Sequence, residues 1–436
     1  MSEQARDRGL VRAVGTWGLA ASTVNIIVGA GIFAVPAELA ASTGSYAPLA
    51  FVVCAFAIGA VAICFAEGGS RIATSGGAYG YIEAAFGPLT GFVAGTFLWV
   101  GDVLACGGVA AALAETAASL VAPSWHTAVR SVIICGAVGS IAWVNIGGVA
   151  RGTRFINAAT AVKLLPLAVF IVVGAGAVQA VNYQTTAPLE SANIGRGLLL
   201  ALFAFTGMEV SLGASGEVAR PARTIPRALA LALLCVTLLY VAVQIVAQGL
   251  LGPQLSQSSV PLADAIASVS PMLRGLMLFA AALSMLAWLG SDLLGTPRTL
   301  FALARDGRLP RVLGRVHPRT HAPQVAILVY AAIAILLAFT GTFAELAVLA
   351  TLSSTGVYIL GCAAAWTLAR RKVALAGVPL NFPWLGVAAL IGIGTMVIAI
   401  ALAAREEIIG FASLAALSIV AFWLSTRAER ARKGAT

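Results

Sequence analysis

The sequence has little charge. Asp, Glu, Lys and Arg together make up 10% of its 436 residues, whereas apolar residues (AVILMFWYC) make up 60%. A typical soluble domain has about 25% charged residues, so a soluble protein of this composition would need a largely apolar surface. The same hydrophobicity excludes a disordered chain. The composition therefore predicts a polytopic membrane protein.

The sequence also lacks the patterns of disulfide frameworks and metal sites. Its six cysteines stand singly in apolar stretches, with no C-x-x-C pair, and are predicted to be small buried residues. Its three histidines, His126, His317 and His321, fall in polar connections and are too few for a zinc site. We therefore expect neither a metal nor a cofactor.

Twelve apolar segments are long enough to cross a bilayer as helices, which takes about 20 residues each. Their length and lack of alternation favour helices over a β-barrel. In chain order, spans 1 to 12 are 13–36, 46–66, 89–114, 129–147, 155–178, 196–214, 227–250, 273–303, 324–340, 344–369, 382–403 and 407–425. The predicted fold class is an all-α polytopic protein with a single membrane domain over 1–436.

The distribution of basic residues predicts the orientation. With the N-terminus inside, 22 of the 27 Lys and Arg residues fall on the cytoplasmic side and 4 on the outer side, and Lys163 lies within span 5. Cytoplasmic loops carry such an excess of positive charge. We therefore expect both termini in the cytoplasm and the chain in the cell (inner) membrane. This placement accounts for the net charge of +10 without a nucleic acid partner.

Spans 1 and 6 each contain glycine near the middle, in Gly29-Ala30-Gly31 and Thr206-Gly207. Glycine in a helix centre costs roughly 1 kcal/mol relative to alanine, and unwound backbone at membrane depth must be buried or line a cavity. An interrupted helix offers N–H groups to a carboxylate and free carbonyls to an ammonium or a cation. The alternative is that these glycines only allow close helix packing.

The two interruptions lie five spans apart. Since five is odd, a second set of five helices inserts upside down, which is the pattern of an inverted repeat. We predict a first five-helix repeat over 13–178, a second over 196–369, and two additional helices over 382–425.

Several motifs resemble amino acid permeases of the amino acid–polyamine–organocation superfamily. In chain order they are 29–33 with Pro36, Glu67-Gly68, 75–79, 86–88, 203–209, 217–228, Arg298 and 304–310. The resemblance implies transport of amino acids or polyamines by alternating access. It also implies a substrate carboxylate on the span 1 break and an amino group toward span 6. The substrate-binding residues expected at the breaks are Ile27, Gly29, Ala30, Gly31, Thr206 and Gly207.

Two charged residues in the spans are implied to act in coupling or gating. Lys163 is similar to a lysine of family members in which the ammonium replaces a sodium ion, which implies sodium-independent transport coupled to a proton or a counter-substrate. It lies nine residues, about 13 Å, from Arg154, which is deep for a snorkelling lysine. Glu209 is implied to link substrate binding to gating, with capping or packing as the alternative.

Three further side chains are expected beside the substrate. Asp102 in span 3 and Asp292 in span 8 would, with Glu209, favour a cationic amino acid or a polyamine; alternatively one of the aspartates only neutralises Lys163. Phe203 occupies a position where relatives carry an aromatic gate, although an aromatic residue in a span more often simply packs.

Other functions stay open at this point. The first rival is a permease or exporter of neutral amino acids. A membrane-embedded enzyme would need a clustered nucleophile, base or metal set in the spans, where no histidine lies. A channel would need a polar lining through the whole membrane, whereas the polar groups here gather near the breaks. The oligomeric state does not follow from the sequence.

Overall fold

The computed structural model describes residues 15–72, 78–147, 164–183, 191–208, 221–305, 307–317, 320, 322–375 and 378–433. These residues form helices joined by short turns and loops, without a strand among them. The α-helices are α1 (Thr16–Ile27), α2 (Gly31–Thr43), α3 (Ala47–Arg71), α4 (Ala78–Phe86), α5 (Pro88–Ala118), α6 (His126–Ile146), α7 (Leu164–Ala175), α8 (Ser191–Phe205), α9 (Pro221–Leu251), α10 (Pro261–Ala267), α11 (Pro271–Gly295), α12 (Pro297–Arg305), α13 (Gln324–Thr340), α14 (Phe343–Arg370), α15 (Leu385–Ala401) and α16 (Arg405–Lys433).

Every predicted span coincides with part of at least one of these helices. Within the described residues, seven helical stretches are long and apolar enough to cross a membrane, and four shorter apolar helices accompany them. The prediction of a helical polytopic membrane protein is therefore confirmed.

Span 8, predicted as one segment over 273–303, coincides with an apolar helical stretch over Pro271–Phe301 that contains a break. Helix α11 ends at Gly295, and Pro297 begins the separate helix α12. Proline has no N–H to continue the hydrogen-bond ladder and is well tolerated in a first helical turn. The apolar run continues through this point, so hydropathy alone shows the span but not the break at Thr296.

Helices α5 and α14 lie at the centre of the bundle and pack extensively against each other. In each of them, 72% of the most apolar 18-residue stretch is buried inside the protein. In α16 only 11% of the corresponding stretch is buried. Glycine allows the close approach: a Cβ on Gly101 of α5 would lie 3.3 Å from the backbone oxygen of Ala350. The last helix is therefore peripheral, and the core is formed by the spans around α5 and α14.

The expectation that all six cysteines are buried is wrong for two of them. Four are buried, but Cys135 on α6 and Cys235 on α9 are exposed. An apolar stretch in a membrane protein can face lipid as well as the protein interior, so the sequence pattern does not distinguish the two.

Candidate functional site at two interrupted helices

Span 1 is interrupted between Ile27, where α1 ends, and Gly31, where α2 begins. The backbone leaves the helix at Val28, where ψ is 79°. Ala30, the N-cap of α2, has no side-chain cap, and Ala30, Gly31 and Ile32 are all buried. Because the first N–H groups of a helix have no partner within it, α2 presents a buried and uncapped N-terminus.

The glycines at this break also permit close packing. A Cβ on Gly29 would lie 2.6 Å from Trp288 Cδ1 on α11, and a Cβ on Gly31 would lie 3.3 Å from the Ala204 Cα on α8. The break of span 1 is thus pressed against spans 6 and 8. The two alternatives from the sequence therefore hold together: these glycines lie at an interruption of the helix, and they also allow close helix packing.

Span 6 leaves its helix two residues after Phe203. Helix α8 ends at Phe205, and Thr206 turns back, since its backbone N–H and its hydroxyl both donate to the Phe203 carbonyl at 3.1 and 2.7 Å. Gly207 has φ +102°, a conformation that glycine adopts without strain. Its Cβ position would lie 3.0 Å from Ile26 Cγ2. The two interruptions therefore contact each other.

Two hydroxyl groups bind the freed backbone of the breaks. Tyr240 on α9 donates to the Ile27 carbonyl at 2.9 Å, and its hydroxyl oxygen is also 3.0 Å from the Ala204 carbonyl oxygen. Ser284 on α11 donates to the Gly29 carbonyl at 3.2 Å. Sequence reasoning missed both residues, because a single tyrosine or serine in an apolar span carries no motif.

Phe203 lies beside the start of α2 and is buried. Its Cδ1 is 3.8 Å from the Cβ position of Gly31, and its ring makes an edge-to-face contact with Phe343 at a centroid distance of 5.6 Å. The ring is therefore next to the N-terminus of α2, with α14 behind it.

The structure brings Asp102 and Asp292 together. The hydroxyl of Thr296 is 3.1 Å from a carboxylate oxygen of Asp102 and 3.0 Å from one of Asp292, and Tyr330 donates to the other oxygen of Asp292 at 2.6 Å. Asp292 lies eight residues after Ser284 on α11, about 12 Å along the helix axis. The acids thus form a second polar cluster, about two turns from the Ser284 contact at the break.

Lys163 and Glu209 lie outside the described residues. The structure also contains a small cleft with a volume of about 10 Å³, little more than one water molecule, between α2, α5, α10 and α11, lined by Phe33, Thr116 and Met277 among others. The predicted site residues do not line it, so the expected site is at the breaks and not in this cleft.

Interrupted helices that meet inside a polytopic helical bundle are a recurring feature of secondary transporters. The family model described as amino acid permease matches residues 14–424, and the chain belongs to this family. The protein is therefore a transporter of the permease kind and not an enzyme.

Relatives of the chain are transporters as well. It is 33% identical over 365 residues to an uncharacterized transporter of Mycobacterium tuberculosis, with 80% of each chain covered. It is 27% identical over 384 residues to a branched-chain amino acid permease of Bacillus subtilis, covering 84% of this chain and 83% of that one. A methylthioribose transporter of the same organism is 27% identical over 341 residues, with 74% of each chain covered.

Proposed function

We propose that the protein carries amino acids across the cell membrane by alternating access. Twelve spans, built as two inverted repeats of five with two additional helices, would hold the substrate at the breaks of spans 1 and 6. The observation that carries this proposal is the buried, uncapped N-terminus of α2 lying against the end of α8. Family membership supports it independently.

The two ends of an amino acid fit the two kinds of backbone group at the breaks. The carboxylate binds the N–H groups at Ala30 and Gly31, where the helix dipole favours negative charge. The ammonium faces carbonyls at the ends of α1 and α8. Gly29 and Gly207 keep both breaks open, and Thr206 and Phe203 close over the substrate. Uptake by proteoliposomes tests this, with Gly31→Val expected to abolish it.

Coupling is proposed to be independent of sodium. In this proposal the Lys163 ammonium takes the place of a cation, Glu209 links binding to gating, and a proton or a counter-substrate drives transport. Both termini lie in the cytoplasm. Uptake is expected to persist when choline replaces sodium in proteoliposomes, and full dependence on sodium would refute the role of Lys163.

Two substrate classes are supported by different observations. The pair Asp102 and Asp292 favours a cationic amino acid or a polyamine, whose far amino group could reach two turns along α11 from the break. The branched-chain permease among the relatives favours a neutral amino acid, as do the two hydroxyl groups that already occupy the carboxylate of Asp292. Of the two, we propose the cationic class.

Competition experiments separate the two classes. For a cationic substrate, arginine, ornithine and putrescine are expected to inhibit uptake more strongly than leucine. Asp102→Asn and Asp292→Asn would then weaken inhibition by arginine and leave that by leucine unchanged. Inhibition by leucine alone, unaffected by either variant, would establish the neutral class.

A further inference from the structure

The chain after α12 contacts the last helix at the edge of the bundle. The guanidinium of Arg308 lies over the ring of Phe422 on α16, with its Cζ 4.8 Å from the ring centroid. Arg308 Nη1 also donates to the Thr426 hydroxyl at 3.4 Å. Leu303 on α12 is buried in the same small apolar cluster as Phe422. The segment that follows α12 is therefore held against the end of α16.

Helix α16 shows where this contact lies relative to the membrane. Its stretch from Arg405 to Arg427 is apolar enough to cross a membrane and extends over about 33 Å. The hydrocarbon core of a bilayer is about 30 Å thick, so these two arginines lie near its two boundaries. Trp423, one turn before Arg427, is 52% exposed, and exposed tryptophan is typical of the headgroup level. Arg308 thus lies at a membrane boundary, because it contacts Thr426.

The arginines near this contact carry charge that the protein does not neutralise. Arg311 and Arg315 follow Arg308 within seven residues, and both are exposed, as is Arg427 on α16. None of the ion pairs in the described part of the chain includes any of these arginines. In the sequence, 297–317 contains five arginines and a single acid. This positive charge is therefore available to an anion outside the chain.

Exposed apolar side chains alternate with the charges. Val312 and Val316 directly follow Arg311 and Arg315, and each valine is 44% exposed. At a lipid surface, apolar side chains can reach the acyl boundary while basic side chains stay among the phosphates. A water-soluble anion would engage the arginines but not the valines. The combination therefore favours a lipid headgroup over a soluble anion.

We propose that Arg308, Arg311, Arg315 and Arg427 form a binding site for the headgroups of anionic phospholipids. Arg308 holds the segment after α12 against α16, and the three exposed arginines contribute charge and N–H donors to the lipid phosphate. The planar guanidinium matches a phosphate with two parallel hydrogen bonds. In the proposed topology the site faces the cytoplasmic leaflet, whose surface is negatively charged. The inference goes beyond the proposed function, since it does not depend on which substrate is carried.

The experiment measures lipid binding to the purified protein in dodecyl maltoside. The protein is titrated with dioleoylphosphatidylglycerol, dioleoylphosphatidylcholine or inorganic phosphate, and the thermal midpoint is followed. We expect phosphatidylglycerol to raise the thermal midpoint, and phosphatidylcholine and inorganic phosphate at the same concentrations to leave it unchanged. The concentration of phosphatidylglycerol that gives half of the rise then measures the affinity.

Helix α16 supplies a matched control for the variants. Arg427 and Arg405 are both exposed at opposite ends of this helix, but Arg405 is followed by two glutamates. Arg427→Gln is expected to raise the half-saturating concentration of phosphatidylglycerol about fivefold, the contribution of one basic residue near an anionic surface. Combined replacement of Arg311 and Arg315 by Gln should raise it about 25-fold, whereas Arg405→Gln leaves it unchanged. Arg427→Lys keeps the charge and should stay within about twofold of wild type.

Each arm of the experiment can overturn the inference. Equal stabilisation by phosphatidylcholine would mean that the headgroup charge is not recognised. Stabilisation of the wild type by inorganic phosphate would assign the arginines to a soluble anion. These two outcomes can be read from the wild type alone, even if a variant does not fold.

The variants test whether the arginines do more than orient the chain in the membrane. If Arg427→Gln and the double variant bind phosphatidylglycerol like wild type, or if Arg405→Gln weakens binding as much as Arg427→Gln, the arginines form no specific site. A loss in Arg427→Lys as large as in Arg427→Gln would contradict recognition by charge. Because no step involves uptake, failure here leaves the proposed function standing, and absence of amino acid uptake would leave the lipid site standing.

Discussion

Glu67 and Arg71 form a buried ion pair one helical turn apart at the end of α3, with Arg71 Nη2 and Glu67 Oε1 2.8 Å apart. Arg71 also donates to the side-chain oxygen of Asn381 at 2.8 Å and to the Val373 carbonyl at 3.0 Å. Glu67 accepts from the backbone N–H groups of Asn381 and Phe382 at 3.2 and 2.9 Å. The pair thus fastens the end of span 2 to the loop between α14 and α15.

Glu67→Gln is expected to destabilise the protein strongly. It removes the charge that compensates Arg71 in a buried position, and breaking one partner of a buried pair typically costs about 3–5 kcal/mol. The thermal midpoint of the purified protein in detergent measures the effect. The control is Asp264→Asn, which breaks the half-exposed pair of Asp264 with Arg274 and should cost at most about 1 kcal/mol. Equal decreases of the thermal midpoint in both variants would show that the buried Glu67–Arg71 pair stabilises the protein no more than an exposed pair does.

Gly207→Ala is expected to reduce uptake much more than Gly59→Ala. At Gly207 the positive φ and the contact with Ile26 make any side chain strained, at about 1–3 kcal/mol, and the strain falls on the break itself. Gly59 lies within α3 with no atom within 4 Å of its Cβ position, so alanine there should be neutral or stabilise by about 0.5–1 kcal/mol. Normal uptake by Gly207→Ala would mean that the break need not keep this conformation.

Thr296→Val removes the hydroxyl shared by Asp102 and Asp292. The two carboxylates then lose a donor and face each other with less compensation, which should lower stability by about 1–3 kcal/mol and slow uptake. Thr395→Val is the matched control, since Thr395 is half-buried on α15 and its hydroxyl donates to carbonyls of its own helix, at Ile391 and Gly392. The thermal midpoints and initial uptake rates of both variants test this prediction. If Thr395→Val loses as much stability and uptake as Thr296→Val, the acid pair has no special role.

Gly195→Ala should destabilise the contact between α8 and α15. A Cβ at Gly195 would lie 2.0 Å from the Leu402 backbone oxygen, so one of the two helices must shift, at a cost of about 1–3 kcal/mol or more. Gly394 on α15 has open space at its Cβ position, and Gly394→Ala should leave the thermal midpoint unchanged. If Gly195→Ala melts like wild type, spans 6 and 11 are less tightly packed than the distance indicates.

The helical membrane-protein class could be predicted from hydropathy, because a helix that crosses a bilayer needs a long apolar run. The breaks could be predicted from glycine for two different reasons. Gly207 adopts a positive φ, whereas Gly31 lets the start of α2 approach α8 closely. Helix ends were harder to predict. The end of α11 at Gly295 falls inside the apolar run of span 8, so hydropathy does not show it.

The side chains that organise the site could be predicted only in part. Asp102 and Asp292 were identifiable because a carboxylate in a span is costly, but their meeting at Thr296 is a tertiary fact. Tyr240 gave no signal, since a tyrosine in an apolar helix is ordinarily packing. The sequence places Arg71 only among the basic residues of the cytoplasmic side. Its bond to Glu67 is local, but its bonds to Val373 and Asn381 in the loop after α14 join residues some 300 positions apart.

Pro36 gives the first half of α2 a mechanical property of its own. Proline has no N–H to donate to the Ile32 carbonyl, four residues before it. Helix α2 therefore lacks one backbone hydrogen bond at Pro36, in addition to those missing at its uncapped start. Gln244 donates to the Pro36 carbonyl from outside the helix. The stretch 28–36 therefore has few internal bonds that resist bending. We expect span 1 to bend more easily over this stretch than within α1.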